Sequence, residues 1–119
     1  MVDCLDNKTK LFALRVIKLS RYLMEEKKEY ILSKQILRSG TGIGANVRER
    51  KNAQSKLDFI NKLSVALKEA DETVYWLELL IGSEYIDQKM FVSLEKDIKE
   101  IIALITASIN TARSNLYQK

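Results

Sequence analysis

The sequence contains no histidine, no proline, four glycines and one cysteine among its 119 residues. Without histidine, the chain has no imidazole for acid–base catalysis or for metal ligation. The single cysteine, Cys4, can form neither an internal disulfide nor a zinc site of several cysteines. An all-β domain is disfavoured, because it needs turn residues such as glycine and proline about every 8–12 residues. No nucleophile–base pair stands out either, so we expect no enzymatic activity and no cofactor.

Long apolar stretches are also missing. The longest uninterrupted apolar run is Ile101–Ile105, whereas a membrane-spanning helix needs about 20 such residues. The first residues are acidic rather than basic, and no apolar segment follows them, unlike a secretory signal peptide. We therefore expect a cytoplasmic protein with no membrane contact.

What is present is the composition of an ordinary globular protein, with 46% hydrophobic and 30% charged residues. The length corresponds to one domain, and no linker or low-complexity stretch divides it. We therefore expect a single domain over residues 1–119.

Positive charge is concentrated in the first half of the chain. Residues 1–56 contain thirteen lysines and arginines against six acidic residues, whereas residues 57–119 contain seven against ten. Five cations gather around the second predicted helix and the turn after it: Lys34, Arg48, Arg50, Lys51 and Lys56. Such a cluster can neutralise phosphates and bind nucleic acid in a salt-dependent manner; the alternative is a hydrated surface that keeps the protein soluble. No aromatic residue lies among these cations, so stacking on single-stranded bases is not expected.

Apolar residues recur every three or four positions in four segments, at about residues 7–26, 33–51, 55–82 and 87–116. This spacing predicts four amphipathic helices. Short connections between long helices favour antiparallel neighbours. The sequence therefore predicts an all-α protein, an antiparallel up-down-up-down four-helix bundle.

The ends of the third and fourth helices carry their own signals. Ser55 and Asp58 form a predicted capping box, Gly82 is the predicted terminator of the third helix, and Asp87 is the predicted N-cap of the fourth. The predicted core stripe of the third helix is Ile60, Leu63, Leu67, Ala70, Val74, Leu77 and Ile81.

The third helix is apolar around most of its circumference between Val74 and Ile81, where only Glu78 is polar. A four-helix bundle covers one side of each helix, so a second apolar side favours contact with another subunit. The candidate interface residues are Tyr75, Trp76, Leu79 and Leu80. The alternative is a locally wide core with a few exposed apolar side chains, which monomers also have.

The glycines at 40, 42 and 44 have the spacing of a phosphate-binding loop. Such a loop requires a strand before it, and none is predicted here. Close helix packing is the favoured explanation, because a missing side chain lets a neighbouring backbone approach. A hairpin of the second and third helices would set Gly40 and Gly44 opposite about Ala66 and Leu63.

Glu69 and Glu72 suggest a carboxylate metal site, but di-iron bundles pair glutamate with histidine, and none is available. The same hairpin register places Arg38 near both carboxylates. We therefore expect a buried or half-buried arginine–carboxylate pair and no metal site.

Three stretches of the second and third helices carry a family resemblance: Gln35–Glu49, Ser55–Ile60 and Ala66–Trp76. Together they resemble the bacterial four-helix-bundle proteins encoded in intervening sequences of large-subunit ribosomal RNA genes, often labelled S23-type ribosomal proteins. Gly42 and Arg50 depart from the family pattern, which usually has serine and glycine at these positions.

The resemblance implies a bundle that assembles into a ring-like homopentamer, in a family with no established biochemical function. It also implies similarity to the accessory proteins of diversity-generating retroelements, which associate with a reverse transcriptase and with nucleic acid. Five residues match the family signature and are expected, by that match, to form a structural polar network: Arg38, Asn46, Glu49, Glu69 and Glu72.

The sequence thus predicts a non-enzymatic, self-assembling helix bundle that binds RNA or DNA weakly through its basic surface. The alternative is a protein-interaction scaffold that docks a reverse transcriptase or another protein without touching nucleic acid.

Overall fold

The computed structural model describes residues 4–117, which form four α-helices and contain no strand. The helices are α1 (Cys4–Glu25), α2 (Leu32–Glu49), α3 (Lys56–Gly82) and α4 (Gln88–Leu116), and a 3₁₀ turn at Arg50–Asn52 lies between α2 and α3. The four predicted helices are therefore confirmed, with α1 beginning three residues earlier than expected. Residues 1–3 and 118–119 of the expected single domain lie outside the described range.

The helices pack as a bundle. The α2 helix packs against α1 and α3, and α4 packs against α3 and, less extensively, against α1. The resulting body measures 55 × 26 × 22 Å and encloses one hydrophobic core to which all four helices contribute. No helix within residues 4–117 is both long enough and apolar enough to cross a membrane.

The apolar residues that recur every three or four positions on α1 and α2 face the core, and among them Phe12, Val16, Ile36 and Ile43 are almost completely buried. In α3 the observed stripe is shifted by one residue at three positions. The structure buries Ala66, Thr73 and Leu80, whereas the predicted Leu67, Val74 and Ile81 are only partly buried. The shift follows from the position of α3 between α2 and α4, which widens its buried face.

Thr73 shows how a polar side chain enters this core. Its hydroxyl lies 2.8 Å from the Ser39 hydroxyl of α2 and 2.8 Å from the carbonyl oxygen of Glu69. Because the buried hydroxyl has hydrogen-bond partners, its burial carries little of the cost of an unpaired polar group. A count of apolar positions cannot detect such a residue.

The predicted N-caps are confirmed. The Ser55 hydroxyl accepts a hydrogen bond from the Asp58 amide at 3.0 Å, and the Asp87 carboxylate accepts one from the Met90 amide at 2.8 Å. The Asp58 carboxylate accepts from the amide of Gln54, one residue before the partner expected in a capping box.

The α3 helix ends at Gly82 as predicted, but the prediction that Gly82 is the C′ residue that terminates it is wrong. Gly82 remains helical, and the left-handed residue is Glu84, with φ 67°. The amide of Tyr85 donates to the carbonyl of Leu80 at 2.9 Å, and that of Glu84 donates to Ile81 at 3.0 Å. This is the hydrogen-bond pattern of a Schellman cap, here formed without glycine.

The glycines of α2 are packing positions, but their neighbours differ from the prediction. A Cβ atom on Gly40 would lie 2.8 Å from the Val16 methyl groups, and one on Gly44 would lie 3.3 Å from Thr9. Both glycines therefore face α1 and not Ala66 and Leu63 of α3. Gly42 is the glycine that faces α3, where its added Cβ would meet Glu69 at 3.2 Å.

Candidate nucleic-acid and subunit interfaces

The structure divides the five predicted cations into two groups. Lys34, Arg48 and Lys56 are exposed, and none of them forms an ion pair with the acidic residues between positions 4 and 117. Lys34 and Arg48 lie on α2, and Lys56 opens α3. These three side chains are available to a phosphate group.

Arg50 and Lys51 belong to the second group, because both contact Asp6 of α1. The Arg50 guanidinium lies 2.9 Å from one Asp6 oxygen and also donates to the carbonyl of Val47 at 2.7 Å. The Lys51 ammonium contacts the other Asp6 oxygen. Arg50 therefore satisfies a carbonyl in the last turn of α2 and joins this turn to the beginning of α1.

The prediction that Arg50 is an accessible phosphate-binding residue is wrong, since its side chain is only 10% exposed. Lys51 keeps 58% of its side chain exposed despite the contact with Asp6. Burial alone would raise the pKa of Asp6, but hydrogen bonds from Lys51 and Arg50 outweigh that effect and lower the pKa. Asp6 thus remains charged at neutral pH and competes with any phosphate for both cations.

Sequence reasoning missed Asp6, although a signal for it was available. Asp6 and Arg50 are equally distant along the chain from Lys28, which adopts a left-handed conformation in the α1–α2 turn, with φ 54°. A helical hairpin that turns near this residue brings the two side chains together.

Next to this ion pair lies an open cavity of about 430 Å³. It is formed by the α2–α3 connection and the end of α4, with Arg50, Lys56, Phe59 and Asn115 among its lining residues. The described part of the chain contains no group of three aspartate, glutamate or cysteine side chains placed to hold a metal ion.

The predicted polar network is present in part. The Arg38 guanidinium lies 2.7 Å from Glu72 and 3.4 Å from Glu69, so these three side chains join α2 to α3. The arginine side chain is 55% exposed, so the expectation of a buried or half-buried pair holds only for the two glutamates. Exposed ion pairs of this kind contribute up to about 1 kcal/mol to stability.

The other two residues of the expected network are not part of it. The Asn46 amide donates to the carbonyl of Gly42 at 2.8 Å, and Glu49 accepts from Asn52 at 3.0 Å. Both bonds are local to α2 and the turn after it. They support the end of α2 rather than its contact with α3.

The four residues of the candidate subunit interface differ in their exposure to solvent. Tyr75 is 54% exposed, and Trp76 and Leu79 are partly exposed on the outer side of α3. Leu80 is completely buried in the core, so its prediction as an interface residue is wrong. The Trp76 indole N–H is shielded from solvent and has no acceptor among the described residues, while its ring lies 5.3 Å from that of Tyr75.

Comparison with known proteins identifies relatives of this fold. A solved structure from Bacteroides thetaiotaomicron, described as a protein with unknown function from the S23 ribosomal protein family, superposes with a TM-score of 0.88. The two chains are 53% identical over 89% of this chain and 95% of the other. No match is found among curated proteins. The family model of the 23S rRNA-intervening sequence protein matches residues 6–107, and the chain therefore belongs to that family.

Proposed function

We propose that this protein is a non-enzymatic, self-assembling four-helix bundle whose basic surface binds RNA or DNA weakly and without sequence preference. The observation that supports nucleic-acid binding most directly is that Lys34, Arg48 and Lys56 are exposed and have no acidic partner within residues 4–117. Cations that are not neutralised within the protein can release counterions from a phosphate backbone. The lack of histidine and of any nucleophile–base pair supports a binding role over an enzymatic one.

The antiparallel up-down-up-down order is part of this proposal. Between α2 and α3, Arg38 contacts Glu72, whereas Gly42, four residues later on α2, faces Glu69, three residues earlier on α3. Between α1 and α2, Asp6 contacts Arg50 and Ser20 contacts Ser33. As the residue number rises on one helix it falls on its neighbour, which supports antiparallel packing.

Self-assembly is supported by the outer side of α3, where Tyr75, Trp76 and Leu79 leave apolar surface uncovered. Burial of this surface against a second copy would remove it from water. The family resemblance implies that five copies assemble into a ring.

Light scattering coupled to gel filtration tests this assembly. We expect an oligomer for the wild type and a smaller species for Tyr75→Glu, because a carboxylate at the centre of an apolar contact is costly to desolvate. Val92→Glu on α4 is the matched control, since Val92 is similarly exposed. A wild-type monomer, or an oligomer broken only by the control change, would contradict the proposal.

Affinity for a labelled RNA across a salt series tests nucleic-acid binding. Wild-type affinity should fall steeply as salt rises. Neutralising Arg48 and Lys56 together should lower both the affinity and its salt dependence. If no binding occurs at low salt, the alternative of a protein-interaction scaffold, with a reverse transcriptase or another protein as its partner, is favoured instead.

A further inference from the structure

The distribution of charge along α1 and α2 is more one-sided than the basic cluster alone indicates. Residues 7–24 and 30–48 contain eight lysines and arginines and not one acidic residue. These two segments make up nearly all of α1 and α2. Every acidic side chain that contacts a cation of these segments must therefore come from another part of the protein.

Three of the eight cations are neutralised in this way. Lys8 contacts Glu100, Arg15 contacts Asp97, and Arg38 contacts Glu69 and Glu72. All four acidic partners belong to α3 or α4, so the ion pairs lie on the sides of α1 and α2 that face those helices. The remaining five cations are exposed and have no acidic partner in the described part of the chain: Lys10, Lys18, Arg21, Lys34 and Arg48.

Four of these five cations flank the seam between α1 and α2. Each one follows a buried residue of its helix, and these buried residues are Thr9, Ser20, Ser33 and Val47. One step along a helix rotates the side chain by about 100°, from the packed face towards solvent. The close approach of α1 and α2 at Gly40 and Gly44 keeps the two rows of cations near each other.

We propose that the outer face of the α1–α2 pair, with Lys10, Arg21, Lys34 and Arg48 along its seam, binds the phosphate backbone of a double-helical nucleic acid. This inference rests on the proposed function and names the surface that binds the nucleic acid. Two of its four cations, Lys10 and Arg21, lie on α1 and do not belong to the basic cluster around the α2–α3 turn. Lys10 and Arg21 are separated by about 16 Å along α1, and Lys34 and Arg48 by about 21 Å along α2. Cations spread over this length can contact several successive phosphate groups of a nucleic-acid backbone, whereas a single small anion could contact only one or two of them.

The side chains between the cations favour a duplex over a single strand. The large hydrophobic residues exposed on the two helices are Leu11 and Leu14, and neither is aromatic; the exposed Tyr30 lies in the connection before α2. Single-strand binding without sequence preference relies on aromatic side chains that stack on bases. Between its cations this face presents aliphatic groups, which can contact the backbone of a duplex, and no row of aromatic rings on which successive bases of a single strand would stack.

The test compares two double variants with the same net charge. Lys10→Gln with Arg21→Gln removes two seam cations, and Lys89→Gln with Lys96→Gln removes two exposed lysines of α4 as the control. The probe is a labelled 20-base-pair RNA duplex, with a DNA duplex of the same sequence in parallel, titrated between about 50 and 200 mM salt. The slope of log affinity against log salt should fall by about 2 for the seam variant and stay unchanged for the control.

The outcomes separate the inference from the function on which it rests. If the wild type binds neither the duplexes nor a single-stranded RNA at about 50 mM salt, both the inference and the proposed function are wrong. Equal weakening by the seam and control variants would leave nucleic-acid binding intact and overturn the α1–α2 face. Tighter binding to a single-stranded RNA of equal length, or binding to anionic vesicles alone, would overturn the duplex assignment. Circular dichroism of both variants checks that the helices are retained.

Discussion

The Glu29 carboxylate accepts more backbone hydrogen bonds than any other carboxylate between residues 4 and 117. Its two oxygens accept hydrogen bonds from the amides of Ile31, Leu32 and Ser33, at 3.2, 3.0 and 2.8 Å. These amides open α2 and have no partner within the helix, and the negative charge also suits the positive end of the helix dipole. A glutamate therefore performs the capping that serine or aspartate performs at the start of α3 and α4.

Burial alone would raise the pKa of Glu29, but the three amide hydrogen bonds outweigh it and lower the pKa below its ordinary value of 4.5. A lowered pKa means that the charged form stabilises the fold. This stabilisation is complete above about pH 4.5 and is lost as the pH falls through the pKa of the folded protein.

We expect Glu29→Gln to lower the free energy of unfolding by about 1 kcal/mol at neutral pH, because the neutral amide is a weaker cap. Glu26→Gln in the same turn is the control, since Glu26 is exposed; it should change stability by less than about 0.5 kcal/mol. Urea unfolding at pH 7 and at about pH 2.5 measures both. If the difference in the free energy of unfolding between wild type and Glu29→Gln is the same at both pH values, the charged Glu29 side chain is not the cap of α2.

At the scale of helices, the contact between α1 and α2 depends on small residues. Gly40 faces Val16, whose side chain is completely buried and branched at Cβ. A branched side chain in a helix has few alternative rotamers, so it cannot easily make room for an added methyl group. The sequence pattern located the glycine on the packed face, but it could not tell which neighbouring helix approaches it.

Gly40→Ala and Gly82→Ala form a matched pair that tests this contact. Both replacements gain helix propensity, but only the first places a methyl group 2.8 Å from another side chain, because Gly82 has nothing within 4 Å of its added Cβ. We expect Gly40→Ala to be less stable than Gly82→Ala by about 1–3 kcal/mol in urea unfolding. Equal stability of the two variants would show that the core adapts to the extra volume at no cost.

At the scale of the whole molecule, the bundle closes where α1 meets α4, and this is its least extensive helix contact. Polar side chains make several of the contacts between these two helices. The Arg15 guanidinium contacts the Asp97 carboxylate and donates to the Ser93 hydroxyl at 2.9 Å, while Lys8 contacts Glu100 at 3.1 Å. Ion pairs as exposed as these are screened by salt.

We expect Arg15→Gln to destabilise the protein by at most about 1 kcal/mol in dilute buffer and by less in 0.5 M salt. Arg21→Gln on the same helix is the control, because Arg21 is exposed and forms no ion pair with residues 4–117. Urea unfolding at the two salt concentrations measures both variants. If Arg15→Gln lowers the free energy of unfolding equally at both salt concentrations, Arg15 stabilises the protein by packing rather than by its charge.

The sequence alone determined the four helices and most of their ends, because apolar spacing and capping side chains act over three or four residues. The hydroxyl of Ser55 and the carboxylate of Asp87 find their amide partners within one helical turn. Local rules also located the packed faces of α1 and α2, since the same periodicity that forms an amphipathic helix selects its buried side.

Only the tertiary structure decided which charges and apolar groups remain exposed. Arg50 is neutralised by an aspartate 44 residues earlier, and Leu80 is covered because α3 lies between two other helices. Five cations of α1 and α2 have no acidic partner within residues 4–117, because the acidic side chains of α3 and α4 reach only the other side of these two helices. Burial and ion pairing depend on which helices meet and in what register, and that information is not contained in any short stretch of the chain.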